Sequence, residues 1–489
     1  LVSGRGWYVI EFQLLGKLIS SSKNKIYFKE EMVKKLIGIV LPLFLTLALF
    51  VPAFADVTPS SVTGNLAPGT SMTVDKTVTT PVIPPKPDIV FLCDTTGSMF
   101  AVIDNMKANV VSIMDTVLSG ASDAQFAVAE YKDQTIGGDP FDYQLDQSMT
   151  ANQLLVQAAV NTWDSDTYGG DIPEQQLYAL DQIATSLAVG FRDGSTHIIV
   201  WMGDSSGHSP SGPTNVTLAD VISDLTTTGA NAPILVIAIP VDSGSGDGLD
   251  STGQATAITS ATSGILLPDA LPDQVSDAIL AGLSNLPITV SWSVNSDAGL
   301  DISLLPASQT VTSGDNAYFT ETIMVAGDAP QCETLYATVT FSDENDNVLG
   351  TQDIAININD VTPPSVASTE TVNPAGKNIP PAGYTTLPGP KGGMNEDGFY
   401  LLTAEDNCDE NPMIYVTDTS GTVFGPFPSG TVVKFTEGSG ATPEMKPMGG
   451  PNSAVQWHII LTSDATVFAV DDAGNVSDLD IQYVPPLPK

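Results

Sequence analysis

Ile89-Val90-Phe91-Leu92-Cys93-Asp94-Thr95-Thr96-Gly97-Ser98 decides the fold of this chain. Five successive apolar residues with no polar alternation suit a strand buried on both faces. The loop that follows carries an oxygen on every second side chain, at Asp94, Thr96 and Ser98, and Gly97 permits the bend. Phe126–Ala129, Ile198–Met202 and Ile234–Ile239 are apolar runs of the same kind. Between them apolar residues recur at helical steps, at Met99, Ile103, Met106, Val110, Ile113 and Val117, and again at Leu177, Leu180, Ala184 and Leu187. A closing helix is expected over Asp273–Leu286. Strands alternating with helices across 88–286 predict a doubly wound, Rossmann-like α/β domain. Such sheets take ligands at the carboxyl ends of their strands.

Two further segments are expected at that rim. Gly169-Gly170-Asp171-Ile172-Pro173-Glu174 places Glu174 at the opening of a helix, with Pro173 compatible with its start. Asp204 follows the strand Ile198–Met202, which is expected beside the first. Carboxylates and hydroxyls are hard oxygen donors, which select Mg²⁺ or Ca²⁺ over softer metals. An octahedral ion would take oxygens directly from Thr96, Ser98 and Glu174 and reach Asp94 and Asp204 through water. One position then stays open for a ligand oxygen, so the site is expected to bind a carboxylate rather than to turn over a substrate.

The Asp-x-Thr-x-Ser loop, the α/β pattern and the late Asp204 resemble the von Willebrand factor type A (VWA) domain and its metal-ion-dependent adhesion site. Asp171-Ile172-Pro173-Glu174 resembles the integrin β form, and Glu174 and Ala179 keep the spacing of that form. The resemblance implies that Asp94, Thr96, Ser98, Glu174 and Asp204 are ligands of Mg²⁺, with Ca²⁺ or Mn²⁺ as alternatives. It also implies an extracellular protein or matrix partner with an exposed carboxylate. Ala101 and Val102 stand where integrin β subunits have the acidic residues of an adjacent second site. For a third, flanking site Asp133 and Asp171 are the candidates, although Gly169 occupies the position of that family's Asn. Tyr168 and His208 are candidates for the ligand rim.

The rest of the chain reads as β structure and secretion signals. Met32, Lys34 and Lys35, the apolar run Leu36–Val51 and Ala53-Phe54-Ala55 predict a signal peptide over 32–55, with a membrane anchor as the alternative. Residues 1–31 then read as an upstream extension. Of the 489 residues 56 are acidic and 17 basic, a net charge of −39. That balance argues against nucleic acid as a partner, because phosphate contacts need Lys and Arg. It fits a secreted or cell-surface protein with no stable membrane span after signal cleavage. Ser71–Val78 alternates like an exposed strand, and 56–87 is expected to join 287–360 in one Ig-like sandwich with the α/β domain inserted, an arrangement similar to that of integrins. Residues 361–489 are expected to form a further Ig-like sandwich. It resembles the hyalin repeat (HYR) at Asp406-Asn407-Cys408, Phe427-Pro428-Ser429-Gly430-Thr431 and Asp472-Ala473-Gly474-Asn475-Val476-Ser477.

Three cysteines do not make a disulfide scaffold. Cys93 is expected as a buried thiol. Cys332 and Cys408 fall in different expected domains, which weighs against a bond. Asp343–Asn347 is expected as a hairpin turn rather than a calcium linker. Asp204-Ser205 with His208 invites a serine-hydrolase reading, but a nucleophile needs a base held by a third group and Asp204 is already committed. An alternative to adhesion is a surface or filament-tip component in which the metal loop only stabilises the fold.

Overall fold

The computed structural model describes residues 55–165, 171–370, 399–438, 443–447 and 457–482. The upstream extension, the expected signal peptide up to residue 54, Tyr168 and Gly169 lie outside them. Three strands come first: β1 (Asp56–Thr58), β2 (Ser61–Leu66) and β3 (Ser71–Thr79). The α/β unit follows with β4 (Pro87–Asp94), α1 (Phe100–Gly120), β5 (Gln125–Tyr131), β6 (Tyr143–Thr150) and α2 (Gln153–Val160). It continues with α3 (Gln176–Thr185), β7 (Thr196–Gly203), α4 (Leu218–Ser223), β8 (Leu235–Pro240), α5 (Gln254–Ala261), β9 (Ile265–Leu266) and α6 (Val275–Leu283).

These strands form one sheet in the order β6-β5-β4-β7-β8-β9, parallel throughout except for β6 at its edge. The period-two alternation of a strand explains why β4 is apolar along its length. Ile89, Phe91 and Cys93 pack on one face with α1, α2 and α6. Val90 and Leu92 pack on the other with α3, α4 and α5. Both layers exclude water, and Cys93 is the buried thiol expected. Each fully buried Phe, Leu or Ile is worth about 1.5–3 kcal/mol. Edge strand β6 was not expected, because Tyr143-Gln144-Leu145-Asp146 carries no apolar run. Nor does α3 open at Glu174: its first residue is Gln176.

After α6 the chain enters β10 (Pro287–Ser296), β11 (Leu300–Leu305), β12 (Ser308–Thr312), β13 (Asn316–Val325), β14 (Thr334–Ser342) and β15 (Val348–Ile358). One sheet runs β1-β3-β13-β11 and the other β12-β10-β14-β15-β2, and side chains from both fill one core. Strands on either side of the α/β unit in sequence therefore share sheets. The longest such pairing joins Ser71–Thr79 to Asn316–Met324. The inward series of β3 includes Lys76 beside Val78, so this strand is not the exposed one its alternation suggested. The β14–β15 turn is a hairpin, with Asp343 Oδ1 accepting from Asn345 N (2.9 Å) and Asn347 N (2.8 Å). Its asparagine side chains reach the α/β unit, Asn345 Nδ2 donating to Thr196 Oγ1 and Asn347 Nδ2 to Gly194 O, both at 3.3 Å.

The described strands between residues 365 and 482 add a five-stranded and a four-stranded sheet around a separate apolar core. The junction corrects one expectation: Cys332 and Cys408 are bonded, with Cα atoms 5.8 Å apart. Cys332 N donates to Ile358 O (2.8 Å), which puts Cys332 beside the point where the chain leaves β15. Cys408 lies on the facing end of the next unit, and Asn475 Nδ2 donates across to Asp360 O (3.4 Å). Domain assignment separated the two cysteines, but the junction brings them together. Reduction is expected to expose the connection between Asn359 and Pro364 to protease while the sheets stay folded. Digests with and without reductant, compared on a gel, check this, and identical patterns would exclude a restraining role. No helix among the described residues is long and apolar enough to cross a membrane.

Candidate metal-binding site

The carboxyl ends of β4 and β7 lie side by side, and this positions the site. Asp94 is the last residue of β4 and is fully buried. Its Oδ1 accepts from Thr96 N (2.8 Å) and Thr96 Oγ1 (2.7 Å), which folds the loop back over the strand end. Thr96 then caps a short 3₁₀ turn, Gly97–Met99, that holds Ser98 half-buried and leads into α1. Thr95 points the other way. Its Oγ1 donates to Glu130 Oε2 (2.6 Å), and its carbonyl accepts from the Lys132 ammonium. Ala101 and Val102 lie on α1 and offer no side-chain oxygen.

Asp204 follows β7 and is buried, with Ser205 Oγ donating to Oδ1 (3.0 Å) and Ser243 Oγ to Oδ2. The 243–247 loop closes tightly over it. A Cβ on Gly246 would lie 2.0 Å from Asp204 O, so only glycine fits there. Glu174 is held by backbone bonds on both sides: its N–H donates to Ser206 O and its carbonyl accepts from His208 N, each at 2.9 Å. This parallel bridge to Gly207 fixes Glu174 beside the loop after β7.

Three carboxyls, Asp94, Glu174 and Asp204, share this rim with little solvent. Burial, then the charge of Asp204, pushes the Asp94 carboxyl up to about 7. Burial, then Asp94, Asp133, Asp139 and Asp204, pushes Glu174 up to about 10. Asp94 Oδ2 and Glu174 Oε2 are both buried without a hydrogen-bond partner. Among the described residues the oxygens of Asp94, Glu174 and Asp204 do not all fall within 4.8 Å of one another. A buried anionic oxygen with no donor is costly, and a hard cation is the complement these oxygens lack. Carboxylates with the hydroxyls of Thr96 and Ser98 fit Mg²⁺, Ca²⁺ or Mn²⁺. Buried thiol Cys93 is turned away, donating to Asp94 O (3.0 Å).

Beside this rim Asp133, Asp171 and His208 gather, each offering a ligand atom within 4.8 Å of the others. His208 Nε2 stands 3.6 Å from Asp133 Oδ2 and 3.5 Å from Asp171 Oδ1. Asp133 is fully buried and its Oδ2 has no hydrogen-bond partner. Burial raises its carboxyl above the ordinary value. Gln175, which the sequence reading passed over, ties the two groups together. It donates from Nε2 to Asp133 Oδ1 (2.6 Å) and accepts at Oε1 from Ser211 Oγ (2.7 Å) and Gly212 N (2.6 Å). The polar pair Gln175-Gln176 just before a helical apolar pattern is the local signal by which it could have been found. The hydrolase arrangement does not form. Ser205 Oγ is bonded to Asp204, while His208 Nε2 faces Asp133 and Asp171.

No family model matches the chain, and no curated protein matches it. Among solved structures it is similar to a von Willebrand factor type A protein from Catenulispora acidiphila, at 12% identity and a TM-score of 0.34, over 64% of this chain and 76% of that one. It is also similar to VWA2, an ArnB paralog from Sulfolobus acidocaldarius, at 12% identity and a TM-score of 0.29, over 62% and 74% of the two chains. The VWA domain of SpRpn10 matches at 14% identity and a TM-score of 0.29, over 40% of this chain and 93% of that one. Overlaps with TM-scores this low carry no argument about the site.

Proposed function

We propose that this chain is a secreted or cell-surface binding protein, not an enzyme. In this reading its α/β unit is a VWA domain that uses one divalent cation to bind a carboxylate on an extracellular protein or matrix partner. The observation that carries the reading is the pair of buried, unpartnered oxygens, Asp94 Oδ2 and Glu174 Oε2, at the rim where β4 and β7 end. Thr96, Ser98 and Glu174 would hold the ion, with Asp94 and Asp204 behind them. A bound divalent cation supplies positive charge and an open coordination position for a partner oxygen. The chain's own contribution is to keep the carboxylates aimed and dry. Thr96 orients Asp94, Ser205 and Ser243 orient Asp204, and the bridge to Gly207 fixes Glu174.

The test is binding to an immobilised acidic matrix protein in Mg²⁺ and in chelator. Wild type is expected to bind only in Mg²⁺, and Glu174→Ala is expected to lose binding in both while keeping its circular dichroism. Equal binding in chelator would sink the proposal.

A second reading, a surface component in which metal only stabilises the fold, draws on the gathering of Asp133, Asp171 and His208 as a place for another ion. It predicts metal-dependent melting without metal-dependent binding.

A further inference from the structure

Three carboxyls meet where the two-sheet unit passes into the terminal unit, and none belongs to the rim of β4 and β7. Asp360 lies just beyond β15, Asp406 follows the strand Phe399–Glu405, and Asp471 follows the strand Ala465–Val470. Each offers an oxygen, and these oxygens all lie within 4.8 Å of one another. Local donors hold each group in place. Asp360 Oδ1 accepts from Thr362 N (3.1 Å), and Asp406 Oδ1 accepts from Cys408 N (2.8 Å) and Asp409 N (2.9 Å). Asp471 Oδ1 accepts from Asn475 N (2.8 Å) and Oδ2 from Asn475 Nδ2 (2.9 Å), and the residue is 6% exposed. The second oxygens of the first two, Asp360 Oδ2 and Asp406 Oδ2, are both buried without a hydrogen-bond partner. Among the described residues no lysine, arginine or histidine nitrogen lies within 4.0 Å of any of the three. Like charges gathered out of water in this way repel one another and lack the partner that burial demands.

We propose that Asp360, Asp406 and Asp471 bind a Ca²⁺ ion that fastens the terminal unit to the two-sheet unit. The donors are oxygen only, which selects a hard cation. Ca²⁺ ligands stand roughly 2.3–2.6 Å from the ion, so any two lie at most about 5 Å apart, a bound these oxygens meet. Mg²⁺ usually takes one or two carboxylates and keeps several waters, whereas three carboxylates from three strand ends suit the larger ion. A cavity of about 490 Å³, lined by Asp360, Asp409, Glu410 and Asp472 among others, opens beside the cluster and gives a cation a path in. The same junction is crossed by the Cys332–Cys408 bond and by the hydrogen bond from Asn475 Nδ2 to Asp360 O. A single covalent link leaves two units able to rock about it, and an ion held by both removes that freedom. The α/β unit contributes nothing to this site, so the inference stands apart from the one made for Asp94 and its neighbours.

Hydrogen exchange of the full, disulfide-bonded chain tests this at the amides that hold the carboxyls, those of Thr362, Cys408, Asp409 and Asn475. An opening that releases a bound ion is slowed in proportion to the ion's concentration over its Kd. Ca²⁺ at ten times its Kd is therefore expected to slow these amides roughly tenfold, and Mg²⁺ at the same concentration to slow them less. Asp406→Asn keeps an oxygen to accept from Cys408 and Asp409 while removing the charge, and it is expected to lose the slowing. Asp204→Asn is expected to retain it, which separates this ion from one at the rim of β4 and β7. Unchanged exchange in Ca²⁺ overturns the proposal, and so does slowing that persists in Asp406→Asn. Equal slowing by Mg²⁺ overturns the choice of Ca²⁺. Slowing in mild acid in place of Ca²⁺, after correction for intrinsic rates, would show that the oxygens share a proton and overturns it as well. The wild-type measurement decides even where a variant fails to fold.

Discussion

Adding Mg²⁺ to metal-free protein is expected to raise its melting temperature strongly, and Asp94→Asn is expected to abolish that rise while making the metal-free protein more stable. Both effects have one cause. Asp94 is fully buried beside Asp204 and Glu174, one of its oxygens lacks a donor, and its carboxyl is pushed up to about 7. A carboxyl whose folded-state value is raised contributes most below the ordinary carboxylate range, and that contribution is lost as pH rises through the folded value. For Asp94 the loss runs from the ordinary range up to about 7, and for Glu174 up to about 10. Metal-free protein is therefore expected to be less stable at neutral pH than in mild acid, by on the order of 1 kcal/mol per pH unit for each group titrating. An ion at a hundred times its Kd would add about 2.7 kcal/mol. Because it binds the deprotonated carboxylates, its effect grows as pH rises. Calorimetry in chelator and in Mg²⁺, in mild acid and at neutral pH, reads both trends. One melting temperature shared by all four conditions would remove the basis for a metal site here.

Arg192→Met is expected to lower the unfolding free energy by about 3–5 kcal/mol, the scale for breaking a buried ion pair from one side. Asp88 lies at the other end of β4 from Asp94 and is fully buried. Its Oδ1 accepts from Arg192 Nε (2.8 Å) and Nη2 (2.5 Å), and its Oδ2 from Arg192 N (2.7 Å) and Ser195 Oγ (2.8 Å). Removing the guanidinium leaves the carboxylate in the core with only the last two donors. Asp88→Asn keeps the shape and removes the charge that needs pairing, so its cost is expected to be smaller. Urea denaturation at unchanged slope measures both variants. A loss for Arg192→Met below about 1 kcal/mol, the value of an exposed pair, would show that the clamp is not a buried one. The Mg²⁺-dependent rise should survive in both variants, because the clamp and the site sit at opposite ends of the strand.

The α/β unit was legible where burial on both faces left unbroken apolar runs, as in β4, β5, β7 and β8. Edge strand β6 escaped because Tyr143–Thr150 is only half-covered and its composition is polar. Asp94, Thr96 and Ser98 could be singled out as one candidate loop because they are close in sequence, and Glu174 and Asp204 because each follows a recognisable segment. The gathering at Asp133 was only half visible. Asp133, Asp171 and His208 were each noted, but only the bridge between Glu174 and Gly207 brings His208 to the other two. Lys76 was hidden for a different reason. Its strand alternates regularly, and nothing local says that the face carrying a lysine turns inward. Cys332 and Cys408 show the same limit, since their meeting depends on how one unit follows another.

The α/β unit is spliced between β3 and β10, strands of two different sheets, by residues 80–86 and 284–286. Tension applied at the rim of β4 and β7 and resisted by the chain beyond Asp360 would divide between two tethers. Each tether ends on an interior strand, β3 between β1 and β13 and β10 between β12 and β14. Extracting either strand means rupturing a hydrogen-bond ladder on both of its sides. The splice thus shares a load between two ladders, one in each sheet.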